Sequence, residues 1–310
     1  SVADTITGGT GVDTLDGKAG NDIYEYASSA DFMTSNAVVD SISDTAGTAD
    51  VARIAGAISI GTSDDFARAE GVESLNSATD SATARAHSII INDDTKSNDI
   101  RTVDLSGSSN ASSSSTVTLT GLTNAITVTG TAGADAITGG SAGDTLSGGT
   151  GTDTLTGAGG ADTLNFGSDT AADSAIIGRG ESANSAEDSI HFFNTSHDKV
   201  VLTGDHQATS INVASLTVSS GEYQLGDDDV KLYSDAGTTA LTATDLSANI
   251  QLGTSTAAYV TTGAVAGGAF GDFITGGAGA QVISGGAGND TLKGEAGADV
   301  LAGGGGVDIM

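Results

Sequence analysis

The stretch GGTGTDTLTGAGGADTL, Gly148–Leu164, places a second aspartate nine residues after the first, and a leucine two residues after each. The same register extends to both sides, with the aspartates Asp135, Asp144, Asp153 and Asp162 followed by Ile137, Leu146, Leu155 and Leu164. Apolar positions recur about every 3.6 residues in an amphipathic helix and every second residue in a half-buried strand. A period of nine therefore indicates a repeat architecture of its own.

The repeat occurs in three glycine-rich clusters, at residues 1–27, 130–166 and 267–310. The first contains Asp4, Asp13 and Asp22, and the third contains Asp272, Asp290, Asp299 and Asp308. In the third cluster Gln281 stands where a further aspartate is expected. The clusters divide the chain into five segments, the other two being residues 28–129 and 167–266.

The two intervening segments are predicted to be rich in β-strands. HSIIIND (His87–Asp93) and RTVDLSG (Arg101–Gly107) have apolar residues at every second position and end in residues typical of turns. The segments also resemble each other. DSISDTAGTADVARI (Asp40–Ile54) and DSIHFFNTSHDKVVL (Asp188–Leu202) both place Asp-Ser-Ile ten residues before another aspartate. We interpret this as a long-range duplication.

The composition excludes several classes of protein. The chain has 310 residues, with 46 Gly and no Pro, Cys or Trp, and its formal net charge is −30. Such a charge opposes binding to nucleic acid or to an anionic membrane surface. No apolar run is long enough to predict a transmembrane helix, and the lack of cysteine excludes disulfide bonds.

Each nine-residue unit fits a tight turn followed by a short strand. Glycines at the first, second and fourth places permit left-handed backbone angles, and the residue two after the aspartate points inward. Two units make one coil of 18 residues, and successive coils stack at the strand spacing of about 4.8 Å. The expected fold is therefore all-β, with parallel β-roll or β-helix segments that alternate with β-rich segments.

Stacking places the aspartates of neighbouring coils above one another, as with Asp135 and Asp153. Two carboxylates about 5 Å apart repel each other by roughly 1 kcal/mol in water and by more near a protein surface. A hard divalent cation relieves this repulsion, and an irregular all-oxygen site suits Ca²⁺ better than Mg²⁺. The expected cofactor is thus several Ca²⁺ ions. The predicted ligands are Asp4, Asp13, Asp22, Asp135, Asp144, Asp153, Asp162, Asp272, Asp290, Asp299 and Asp308.

The units GGTGTDTLT (Gly148–Thr156) and GGAGNDTLK (Gly285–Lys293) match GGxGxDxUx at every place. The chain thereby resembles the RTX, or hemolysin-type, calcium-binding secreted proteins, in which this nonapeptide builds a β-helix. The resemblance covers about a third of the chain. It implies a parallel β-roll with calcium in its turns and export by type I secretion.

Two further resemblances concern the β-rich segments. DSIHFFNTSHDKVVLTG (Asp188–Gly204) and DDVKLYSDAGT (Asp228–Thr238) resemble the segment that follows the roll in serralysin-like proteins. GVESLN (Gly71–Asn76), followed by Ser/Thr-rich strands, resembles RTX-type bacterial surface-layer proteins.

Some units depart from the nonapeptide pattern. Ala142 replaces the fourth glycine of its unit, and Ala158 replaces the second glycine of another unit.

No catalytic site and no organic cofactor site are predicted. GGSAG (Gly139–Gly143) matches the G-x-S-x-G of hydrolases, but it lies inside a nonapeptide turn with no helix expected after it. The zinc-protease motif H-E-x-x-H is absent from the sequence. We therefore expect the chain not to be an enzyme.

The sequence favours an extracellular calcium-binding structural protein that folds and assembles on calcium at the bacterial cell surface, in a surface layer, sheath or adhesin-like array. Its expected partners are other copies of itself and a cell-surface glycan, with no nucleic acid and no membrane insertion. The alternative is a C-terminal secretion and folding module of an RTX protease or lipase. A ligand-binding adhesin module is a third interpretation, which the sequence does not separate from the first.

Overall fold

The computed structural model describes residues 2–32, 40–44, 47–61, 69–92, 99–120, 122–178, 188–193, 198–203, 211–212, 222–225, 228–232, 249–252, 258–261, 264–266, 273–276, 280, 282–294 and 297–310. The chain divides into two compact units, Ser1–Leu155 and Thr156–Met310. The division into five segments is a separate sequence-based expectation and stays a prediction.

The described part of the first unit consists of short strands and one short helix, Ser29–Phe32. Its strands are β1 Thr5–Ile6, β2 Thr14–Leu15, β3 Ile23–Tyr26, β4 Ser41–Ser43, β5 Val51–Ile54, β6 Ser59–Ile60, β7 Ala69–Glu70, β8 Ser74–Ser77, β9 Ala86–Asn92, β10 Thr102–Asp104, β11 Ser114–Thr120, β12 Thr127–Thr129, β13 Asp135–Thr138 and β14 Thr145–Ser147. The next strand, β15 Thr154–Thr156, crosses the boundary between the units.

The described part of the second unit is built of strands as well. They are β16 Thr163–Asn165, β17 Ser174–Gly178, β18 Asp188–His191, β19 Lys199–Thr203, β20 Ile211–Asn212, β21 Glu222–Leu225, β22 Asp228–Leu232, β23 Asn249–Leu252, β24 Ala258–Thr261, β25 Ala264–Ala266, β26 Phe273–Gly276, β27 Val282–Ala287, β28 Thr291–Lys293 and β29 Val300–Gly305.

The strands of the first unit pair in parallel and out of chain order, as the successive coils of a solenoid do. One sheet has the order β1-β3-β5-β8-β10-β12-β14, a second has β6-β9-β11-β13, and a third has β2-β4-β7. Each strand thus lies beside the strand one coil away.

The core of the first unit consists of rows of inward side chains, one from each coil. In the first sheet the parallel register aligns Tyr24, Ala52, Leu75, Val103, Val128 and Leu146, and all six are fully buried. In the second sheet Ile60, Ile89, Val117 and Ile137 form a matching row. Such rows of aliphatic residues remove apolar surface from water with side chains of moderate size.

The second unit follows the same plan, with sheet orders β16-β18-β22-β21, β17-β19-β23-β25-β27-β29 and β20-β24-β26-β28. The described pairings are parallel, except that β21 and β22 form an antiparallel pair. The all-β, parallel β-roll prediction is confirmed.

The β-rich segment that follows the first nonapeptide cluster continues the sheet of that cluster. Strands from the β-rich segment 28–129, such as β5, β8 and β10, join the same parallel sheet as the strands of the first nonapeptide cluster. The segment is therefore a run of longer coils, because its turns contain more residues than a nonapeptide turn. Among the described residues no helix is long and apolar enough to span a membrane.

Candidate metal centre

The repeat aspartates of neighbouring coils are joined by one recurring hydrogen bond. The main-chain N–H of Asp135 donates to Oδ1 of Asp153, 18 residues later, at 2.9 Å. Asp4 donates in the same way to Asp22 at 2.7 Å, and Asp290 to Asp308 at 3.0 Å. The stacking register of 18 residues inferred from the sequence is therefore the register of the structure.

This bond changes the expected picture of a purely repulsive ladder. A carboxylate that accepts a main-chain N–H in a buried place gains a charge-assisted hydrogen bond. Asp153 is fully buried and Asp135 is nearly so. The accepting aspartate, here Asp153, thus joins two coils through Oδ1, while its second oxygen, Oδ2, lies beside Gly148 of its own turn.

The first glycine of the nonapeptide provides space for that second oxygen. A Cβ atom built on Gly148 would collide with Oδ2 of Asp153, and one on Gly303 would collide with Oδ2 of Asp308. Neither of these glycines has a positive φ, whereas the second and fourth glycines, such as Gly149 and Gly151, do (107° and 114°). The expectation that all three glycines serve left-handed angles was therefore wrong for the first place.

Units that lack the second glycine of the motif keep the same turn conformation, at a cost in backbone strain. Ala158 stands in the second place and still adopts a φ of 67°, and Lys18 does so at 70° in the corresponding place of its unit. Left-handed angles are unfavourable for residues that carry a Cβ. The turn geometry is therefore imposed by the stacked coils.

The chemistry of the buried oxygens fits a hard cation. Oδ2 of Asp13, Asp22 and Asp50 is buried and has no hydrogen-bond partner among the described residues. A buried carboxylate oxygen without a partner is costly unless a proton or a cation compensates it. Ca²⁺ is a hard cation that prefers oxygen ligands such as these carboxylates.

The pKa shifts of the buried carboxyl groups also favour a bound cation. Burial raises the pKa of the Asp135 carboxyl, although hydrogen bonds from Thr131 act against it. Burial also raises the pKa of Asp144 and of Asp50. These carboxyl groups resist ionisation in the folded chain, and a bound cation would favour their charged form.

The other predicted ligands differ in exposure. Asp4 is exposed, whereas Asp162 and Asp290 are buried. Asp144 is buried and accepts main-chain N–H groups from Ile126 and Gly140, at 2.8 and 2.6 Å. Asp299 and Asp308 are partly exposed. Asp272 and Gln281 lie outside the described residues.

The structure adds aspartates that the nonapeptide search missed. Asp40 accepts the N–H of Asp13 at 2.8 Å, 27 residues away, and Asp50 accepts that of Asp22 at 2.7 Å, 28 residues away. The ladder then passes from Asp50 to Glu73, whose Oε2 accepts the Asp50 N–H at 2.7 Å. The hydrogen-bonded ladder thus continues into the longer coils.

The same occurs in the second unit. Asp188 accepts the N–H of Asp162 at 2.9 Å, and Asp198 accepts that of Asp173 at 3.0 Å. The two Asp-Ser-Ile segments contain four of these residues, at positions 40, 50, 188 and 198. A search for aspartate followed two residues later by a buried apolar residue, without the glycines, would have found them.

The hydrolase-like motif does not form a nucleophile elbow. Ser141 lies exposed in the turn before β14, and its Oγ donates to the Leu122 carbonyl at 2.9 Å. A nucleophile elbow needs a strand before the serine and a helix after it, and the element that follows here is a strand.

Comparison with known proteins agrees with this geometry. The family model described as "RTX calcium-binding nonapeptide repeat (4 copies)" matches residues 3–33, 129–164 and 275–310. A comparison with curated proteins gives no significant match. The matched ranges contain the predicted aspartates except Asp272.

Proposed function

We propose that this chain, a calcium-binding protein of the RTX type, is an extracellular structural protein without catalytic activity. It folds on calcium and assembles with copies of itself into a surface layer, sheath or adhesin-like array on a bacterial cell. A cell-surface glycan is its proposed anchor.

The observation that carries this proposal is the extent of the aspartate ladder. It includes nonapeptide pairs such as Asp4 with Asp22, and longer-coil pairs such as Asp22 with Asp50 and Asp162 with Asp188. The coil architecture therefore occupies the described chain beyond the family matches. A scaffold of stacked coils suits a structural role, because repeats of this kind present extended surfaces.

The charge supports folding outside the cell. With a net charge of −30, the calcium-free chain repels itself, which favours an extended state suited to a narrow type I exporter. Extracellular modules bind Ca²⁺ with dissociation constants of roughly 10⁻⁴ to 10⁻³ M. Calcium outside the cell would then drive folding at the place where the protein is needed.

Self-association is supported by apolar side chains near the outermost strands of the two units. Val2 precedes β1 and Val12 precedes β2, and they are 72 % and 54 % exposed. Val300 in β29 and Val307 after it are 59 % and 77 % exposed. Both β1 and β29 lie at the edge of a sheet. An open strand edge with exposed apolar residues is a template for pairing with another chain, and the proposed occupant is a second copy.

The test is assembly of the purified chain, followed by light scattering and electron microscopy. Calcium at millimolar concentration should give ordered sheets or filaments, and chelator should disperse them. Val300→Asp places a charge on the edge and should block assembly while circular dichroism shows the fold retained. Ser109→Asp, which adds the same charge at an exposed loop residue, should assemble normally.

The competing interpretation is a secretion and folding module of an RTX enzyme. A module of this kind needs calcium to fold, but it has no reason to self-associate. Folded monomers that persist at millimolar calcium and high protein concentration would favour it over the array.

A further inference from the structure

Three buried carboxylates meet in the first unit at a place that the nonapeptide pattern does not define. One ligand oxygen from each of Asp22, Asp44 and Asp50 lies within 4.8 Å of the other two. The side chains are 0 %, 1 % and 1 % exposed. Only Asp22 belongs to a nonapeptide, since the family match ends at residue 33.

A second observation shows that this cluster needs a ligand. Oδ2 of Asp22 and Oδ2 of Asp50 are buried without a hydrogen-bond partner among the described residues. Their Oδ1 atoms are already engaged, because Asp22 accepts the N–H of Asp4 and Asp50 accepts the N–H of Asp22. The remaining oxygens are therefore buried acceptors that no protein donor satisfies.

Tyr24 fixes the third carboxylate. Its hydroxyl accepts the Gly17 N–H at 2.9 Å and donates to Oδ2 of Asp44 at 2.7 Å. The Asp44 side chain is thus held facing the other two carboxylates, as an oriented ligand is by its outer hydrogen bonds.

We propose that Asp22, Asp44 and Asp50 form a binding site for one hard divalent cation, Ca²⁺ by its ligand chemistry, in addition to the nonapeptide sites. Oxygens that share one Ca²⁺ at 2.3–2.6 Å lie at most about 5 Å apart, which agrees with the spacing of this cluster. Three carboxylates and no thiol or imidazole select a hard cation over zinc or copper.

The site would join the first nonapeptide cluster to the coils that follow it. Asp22 precedes β3, Asp44 follows β4 and Asp50 precedes β5, and β3 pairs with β5. A cation here would link the last nonapeptide coil of the first cluster to the longer coils that follow it. This role goes beyond the proposed assembly and does not depend on it.

Calorimetric titration of the full chain with Ca²⁺ tests the site. Asp44→Asn should remove one binding event or weaken it at least about tenfold, because even the loss of a residue that orients a metal ligand costs this much. Asp16→Asn removes the same charge from an exposed neighbour and should leave the titration unchanged. A titration of Asp44→Asn that equals the wild type would overturn the proposal.

Terbium luminescence gives a second readout that does not depend on the first variant folding. Tb³⁺ replaces Ca²⁺ at oxygen sites and emits when a nearby tyrosine is excited, and Tyr24 would adjoin the ion. Tyr24→Phe should lose more sensitised emission than Tyr26→Phe, whose ring is also buried on β3. Equal losses in the two variants would contradict a cation beside Asp44.

Discussion

The main-chain N–H of Asp162 donates a 2.9 Å hydrogen bond to Oδ1 of Asp188, 26 residues later. Asp162 ends a nonapeptide turn, whereas Asp188 begins a strand in the segment that follows. Both side chains are buried, at 1 % exposure each. One buried contact thus connects two parts of the chain that look different in sequence.

Removing this acceptor should destabilise the second unit. Asp188→Ala leaves the buried Asp162 N–H without a partner, which costs about 1–3 kcal/mol. Asp188→Asn retains an acceptor oxygen and should lose less. Urea denaturation in saturating calcium measures both, with Ser189→Ala as the control for a half-buried neighbour. If Ala and Asn at this position prove equally stable, the hydrogen bond has no such role.

Folding should depend on calcium. Each site filled at ten times its dissociation constant contributes about 1.4 kcal/mol, so five or six sites supply much of the stability of a domain. Circular dichroism should show a β spectrum in calcium and a largely unfolded chain in chelator. A β spectrum that chelator leaves unchanged would refute this expectation.

The predicted calcium sites should differ in affinity. Asp290 is the predicted partner of both Asp272 and Asp308, and it is buried whereas Asp308 is partly exposed. Asp290→Ala should therefore reduce calcium binding more than Asp308→Ala. Gln281→Asp should raise affinity, because it restores a charge opposite Asp299. Calorimetric titration compares these variants, and equal losses at positions 290 and 308 with no gain at 281 would contradict the register.

The first glycine of a turn should control the carboxylate beneath it. Gly303→Ala places a methyl group against Oδ2 of Asp308, whereas a Cβ at Gly305, in the same turn, meets no atom within 4 Å. We expect Gly303→Ala to weaken calcium binding and stability, and Gly305→Ala to change neither. Titration and thermal denaturation in calcium check the pair. Similar behaviour of the two variants would mean that the glycine does not provide this space.

The free energy of unfolding should fall in mild acid, because His87 is buried in its neutral form. Its Nδ1 accepts the Ile58 N–H and its Nε2 bonds Ser108, and burial lowers its pKa from 6.5 to about 4. Between those pH values the unfolded chain takes up a proton that the folded chain does not, so the free energy of unfolding falls as the pH decreases, by up to roughly 3 kcal/mol.

Urea denaturation in saturating calcium at pH 7 and pH 4.5 measures this effect. His87→Gln lacks the titrating group and should lose less stability over that interval, while the carboxylates titrate alike in both proteins. An identical loss in the two proteins would show that His87 does not contribute.

Much of the site can be predicted from the sequence. The spacing of Asp135 and Asp153 predicts the 18-residue coil, since two turns and two strands must close before the next layer begins. The same pattern gave the inward positions Ile137, Leu146 and Leu155, which are buried as expected. The assignment of calcium ligands among these aspartates stays a prediction for the titrations.

Asp50 and Asp44 show what the pattern does not contain. Their turns lack glycines at the first, second and fourth places of the nonapeptide. The coil lengths there are also irregular, 28 residues from Asp22 to Asp50 and then 23 from Asp50 to Glu73. A periodic search depends on a constant interval, so it loses the ladder where the loops lengthen.

The nine-residue pattern is therefore sufficient to predict the local unit: a glycine turn, a buried aspartate and an inward apolar residue, because each depends on neighbours within nine residues. Which residues of distant coils meet depends on the pairing of strands that are far apart in the chain. Parallel pairing of β3 with β5 brings Asp22 to Asp50 whatever the number of residues in the loop between them. The inter-strand hydrogen bonds and the buried side-chain rows set the alignment of the coils. The free energy of closing an exposed loop, in contrast, rises only slowly with the number of residues in the loop.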